Sequence, residues 1–108
     1  MRKVTLRDEK TGPDSRHLWA NLDEAGNLHI DGQDLGPSTA IVSTDGEYEW
    51  FTTISGADIP HLLALLGAPS DANVLDVLER DWSGTKAGDL EALIREGDIQ
   101  VQLSVWTG

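Results

Sequence analysis

Residues 3–7 alternate apolar with polar, Val4 and Leu6 falling on one side and Lys3, Thr5 and Arg7 on the other, the period-two signature of a half-buried strand. The stretch 8–15, with Gly12-Pro13, then reads as a turn or loop. Over residues 16–22 the alternation resumes, with Leu18, Ala20 and Leu22 inward and His17, Trp19 and Asn21 outward. After a polar turn at 23–27, Leu28 and Ile30 continue the inward set while His29 and Asp31 point out. Placing Leu22 opposite Leu28 aligns both inward sets, and a one-residue slip would expose every apolar side chain, so a hairpin in that register is predicted.

The stretch Gly32-Gln33-Asp34-Leu35-Gly36-Pro37 predicts a tight bend before a short apolar run at 40–42. A strand follows at 47–54, where Tyr48, Trp50, Thr52 and Ile54 alternate with Glu47, Glu49, Phe51 and Thr53. Its aromatic and β-branched content suits a pleated, half-buried surface. Ser55-Gly56-Ala57-Asp58 has the form of a capping box, and Ile59, Leu62, Leu63 and Leu66 give one apolar helical stripe that ends at Gly67, with Pro60 tolerated in the first turn. Val74, Leu75, Leu78 and Trp82 predict a second helix with Ser70 as its cap. Ser83-Gly84-Thr85 interrupts it, and Leu90, Leu93 and Ile94 predict a third segment over 89–96. In the last stretch Ile99, Val101, Leu103 and Val105 face one way and Gln100, Gln102, Ser104 and Trp106 the other, as in a strand.

Strands first, helices next and one strand last predict an α+β fold: an antiparallel sheet of five to six strands, two or three helices on one face, and a C-terminal strand that returns to the sheet. With 108 residues the expectation is one domain, 1–108. No repeat or linker breaks the pattern.

Charge changes the picture. Eight Lys and Arg against nineteen Asp and Glu give a net charge of −11, which repels phosphate backbones and anionic lipid, so neither nucleic acid nor membrane is expected as a partner. Residues 1–16 hold five of the eight bases, whereas 17–79 contain no Lys or Arg and eleven acids. Such a field either keeps the chain soluble or steers it onto a basic partner. Cysteine is absent, which removes disulfides, thiol nucleophiles and thiolate metal sites and is compatible with a reducing compartment. With no apolar leader after Met1-Arg2-Lys3-Val4, a cytoplasmic address is expected.

Little in the chain favours catalysis. It lacks a phosphate-binding glycine loop, a Gly-x-Ser-x-Gly elbow, a His-Glu-x-x-His pair and a dinucleotide fingerprint. His17, His29 and Asp31 would form a zinc site only if they converged, and the predicted pairing sets His29 across from Asn21 and leaves His17 farther along. His61 has no acid or serine at catalytic spacing. Glu47 and Glu49 share a strand face, where solvation accounts for them. No catalytic residue, metal or cofactor is therefore expected.

The tryptophans say more. Trp50 and Trp82 fit core or sheet-to-helix packing. Trp19 and Trp106 fall on polar faces, where an aromatic among acids is the composition of an interface anchor inside a charged rim.

The block Asn27-Leu28-His29-Ile30-Asp31-Gly32-Gln33-Asp34-Leu35-Gly36-Pro37, followed by Gly46-Glu47-Tyr48-Glu49-Trp50 and the leucine-rich helix ending at Gly67, resembles a pattern in small bacterial proteins similar to immunity proteins of polymorphic-toxin or contact-dependent-inhibition systems. The likeness spans about residues 16–67 and is one of turns and strand residues. It implies an inhibitor of a basic toxin domain, and a nuclease is such a domain because it must hold phosphates. Combined with the charge, it makes the first expectation a non-catalytic acidic inhibitor that binds a cognate basic protein through the outer sheet face and nearby loops. Asp31, Asp34, Asp45, Glu47 and Glu49 would form its anionic group and Trp19 its anchor. The alternatives are an intracellular adaptor or regulatory domain whose acidity serves solubility, and a minor metal-dependent hydrolase or ligand-binding domain using His17, His29 and Asp31.

Overall fold

The computed structural model of the chain describes residues 3–11, 14–35, 47–97, 99 and 101–107. Among them, five strands form one antiparallel sheet in the order β1-β2-β3-β4-β5. These are β1 (Lys3–Thr11), β2 (Asp14–Leu22), β3 (Leu28–Leu35), β4 (Glu47–Ile54) and β5 (Gln102–Thr107). Between β4 and β5 run three helices, α1 (Ile59–Leu65), α2 (Val74–Asp81) and α3 (Ala87–Glu96), with 3-10 turns at Gly56–Asp58 and Gly84–Lys86. Each strand pairs with its neighbour in sequence, and β5 returns across the helices to pair with β4. The fold is α+β, as the alternation predicts.

The hairpin register is the predicted one: Leu22 lies opposite Leu28 and Asn21 opposite His29. Asp23 builds the turn between them. Its carboxylate accepts from the Ala25 and Asn27 amides at 2.9 and 3.0 Å, and Gly26 takes the positive φ that the turn needs. Asn27 then ties the turn to the segment after β4, its Oδ1 accepting from the Gly56 amide at 3.0 Å.

The inward residues of β1–β3, namely Val4, Leu6, Leu18, Ala20, Leu28 and Ile30, meet Leu62 and Leu63 of α1, Val74, Leu75, Val77 and Leu78 of α2 and Leu90 and Ile94 of α3 in one core. Helix α2 lies against β1 and β2. The helical layer does not extend over β5, where Leu103 and Val105, on the helix side, are 62% and 50% exposed.

Several local expectations are corrected. Arg7 does not share the polar face of Lys3 and Thr5. The β1 register shifts between Thr5 and Arg7, and this bulge turns Arg7 to the helix side, opposite Leu18 and only 5% exposed. The Ser55 hydroxyl accepts from the Ala57 amide, one residue short of a capping box. Asn73 caps α2 in place of Ser70, accepting from the Asp76 amide at 3.1 Å. Helix α3 starts at Ala87, two residues before the predicted start. The turn or loop expected over 8–15 is largely strand, since β1 runs to Thr11 and β2 begins at Asp14, and residues 32–35 of the expected 32–37 bend continue β3. Gly12-Pro13, Gly36-Pro37 and the apolar run at 40–42 lie outside the described residues.

Candidate functional site

Cross-strand register arranges the outer sheet face, opposite the helices, in rows. Trp19, Asp31 and Phe51 stand side by side on β2, β3 and β4. His17, Gln33 and Glu49 form the next row in one direction, and Asn21, His29 and Thr53 the row in the other. Side chains opposite one another in an antiparallel sheet are close enough to act together.

Trp19 is half-buried by its neighbours and not by the core. The His17 ring stacks on it with centroids 5.4 Å apart and planes 2° from parallel, and Lys3 Nζ sits 4.5 Å from its ring centre. Phe51 is 39% exposed. Between the two aromatics, burial pushes the Asp31 carboxyl above its ordinary pKa, against the opposing pull of His29 and Lys3. Gln33 Nε2 donates to Glu49 Oε1 at 3.0 Å and fixes that carboxylate on the face.

His29 is held at both nitrogens. Nε2 lies 2.8 Å from Asp23 Oδ2, and Nδ1 3.3 Å from the Thr53 hydroxyl. The His29 hydrogen bond, helped by the Asn27 amide, pulls the Asp23 pKa down to about 2. Carboxylate, imidazole and hydroxyl in that order are the parts of an activated nucleophile. The trio clasps the β2–β3 turn to β4, on the sheet face opposite the cleft lined by Arg7, Trp50 and Val105.

Of the residues predicted from sequence, Trp19, Asp31 and Glu49 come together on this face. Asp34 does not. It keeps step with Ile30 and Gly32, so it projects on the helix side, where Arg16 Nε lies 3.4 Å from its carboxylate. Asp34, expected with the anionic group of the outer face and nearby loops, thus lies in β3 on the other side of the sheet. Asp45 and the Glu47 side chain lie outside the described residues, as does the Trp106 side chain, although Trp106 pairs with Glu49 in register. Trp50 and Trp82 pack against the core. His17 and His29 do not converge: His17 meets Asp8 at 3.3 Å and His29 meets Asp23. Among the described residues no group of three metal-binding side chains occurs. Acids also populate the helices, where Asp76, Glu79, Asp81, Asp89 and Glu96 are exposed, so negative charge is spread over both layers.

Phe51 and Asp23 belong to this face and were not singled out from sequence. Phe51 sits in the outward set of β4, and that parity was its signal. Asp23 opens a turn that closes with Gly26-Asn27, a composition that predicts a side-chain-capped turn but not the histidine it holds. Comparison with known protein families, with curated proteins and with solved structures finds no match to this chain.

Proposed function

We propose that this protein is a non-catalytic binding domain that docks its uncovered sheet face on a cationic protein, and that it serves as a stoichiometric inhibitor of a basic toxin domain of the nuclease kind. One observation carries the reading: Trp19 and Phe51 flank Asp31 in a single row on a face that none of the described helices covers. A lysine or arginine entering that row meets a carboxylate with an aromatic surface on either side. Asp31 is already partly desolvated, so an ion pair formed there is less weakened by water than one at an open surface. The chain-wide negative field adds attraction at longer range.

The test is binding to a basic partner encoded beside this chain, followed kinetically at low and high salt. Trp19→Ala is expected to weaken the complex about 30-fold, the effect of removing an aromatic hot spot. Asp31→Asn with Glu49→Gln is expected to slow association and flatten its salt dependence. Unchanged kinetics in both variants would defeat the proposal. The acids exposed on the helices favour a second reading, in which charge serves solubility alone, and its mark is an affinity that barely responds to salt.

A further inference from the structure

On the other sheet face, between the β4–β5 end and α3, lies a cleft of about 630 Å³, within the size range of small-molecule sites. Ile30, Trp50, Ile94, Val101, Leu103 and Val105 give it apolar walls. It gathers arginines in an acidic chain: Arg7, Arg16 and Arg95, three of the eight basic residues, line it beside Asp34 and Glu91, while the chain as a whole carries −11.

Arg7 is the singular group here. The bulge in β1 sends it under the helices, where Nη2 meets Glu91 Oε1 at 2.9 Å and Nε lies 3.7 Å from Glu9 Oε1. Nη1 is closed to solvent and has no hydrogen-bond partner among the described residues. Folded proteins rarely leave a buried N–H of a charged group uncompensated, and guanidinium pairs best with a carboxylate.

The geometry points to a binding site for a small monocarboxylate with an aliphatic or aromatic body. The body lies against Trp50 and the exposed apolar residues of β5, and the carboxylate faces the arginines of the lining. An apolar wall with a few convergent polar groups is the usual make-up of such a site. This site lies on the face opposite the docking row, so either proposal can fail without the other.

The full chain should be titrated calorimetrically with octanoate, and with 1-octanol and acetate as its two halves. Octanoate is expected to bind about ten-fold or more tightly than either, since only it satisfies both wall and arginines. Leu103→Glu places a like charge on the exposed wall of an edge strand, and should abolish octanoate binding with the melting temperature unchanged. Arg7→Met should bring octanoate down to the level of octanol. If that variant does not fold, Arg16→Gln, at a half-exposed side chain, should weaken octanoate and leave octanol unaffected. The proposal is overturned by no heat from octanoate at millimolar concentration, by equal affinity for octanoate and octanol, or by unchanged octanoate affinity in Leu103→Glu.

Discussion

Two carboxylates on the outer face respond to pH in opposite senses. Asp23 has its pKa lowered to about 2 by His29 and the turn amides, so in the folded state it binds its proton more weakly than in the unfolded chain. It therefore stabilises the fold above about pH 4, and that contribution is lost as pH falls toward 2. Asp31 has a raised pKa because burial penalises its charge, so its ionisation destabilises the fold as pH rises through its folded value. Urea midpoints measured from pH 2 to 7 should show Asp23→Asn with a flatter loss of stability on the acid side. Asp31→Asn should be more stable than the parent at pH 7. An Asp31→Asn variant that loses stability at pH 7 would mean that Lys3 and His29 outweigh burial. Sequence revealed the side of the sheet Asp31 occupies, because parity follows from alternation, and placed Asp23 in a turn. It did not reveal these opposed shifts, which depend on a histidine six positions along and on neighbours across the sheet.

At the scale of elements, the β3–β4 pair depends on one close approach. Gly32 lies opposite Trp50, and the indole covers it so closely that a Cβ built there would collide with the ring. Glycine in a strand interior ordinarily weakens the strand, and here it makes room for the aromatic that walls the cleft. Gly32→Ala is expected to destabilise the fold by about 1–3 kcal/mol through overpacking. Thermal unfolding would register that as a fall of roughly 4–8 °C per kcal/mol. In a Trp50→Ala background the same change should be neutral or stabilising, because only the usual glycine penalty then remains. A full loss retained without the indole would place the cause in the backbone. The β2–β3 hairpin was legible from sequence where one periodicity ran unbroken, but the glycines of the 32–37 stretch read as a bend where β3 continues to Leu35. Arg7 was not legible, because one extra residue in a strand reverses every later side chain and no glycine or turn residue announces this bulge. The cleft was hidden for a related reason: Asp34 and Arg16 look like surface charges until parity carries them to the helix side.

Charge belongs to the whole molecule, and it acts on folding and on docking with opposite signs. Nineteen acids against eight bases leave at least eleven carboxylates that no lysine or arginine can match. Among the ion pairs of the described residues, Arg80 with Asp81 and Lys86 with Asp89 are exposed on both sides and contribute little. Self-repulsion therefore outweighs pairing, and compaction of the chain is opposed at low ionic strength. Raising NaCl from about 10 to about 200 mM shortens the screening length from about 30 Å to under 10 Å, and should raise the melting temperature by a few degrees. The same addition should weaken binding to a cationic protein, since it screens attraction between unlike charges. A fold held by its surface ion pairs would instead lose stability as salt rises, and that result would refute the balance argued here. MgCl2 at equal ionic strength separates screening from ion binding: screening alone predicts a rise close to that in NaCl, whereas a larger rise would mean that a carboxylate cluster holds the divalent ion.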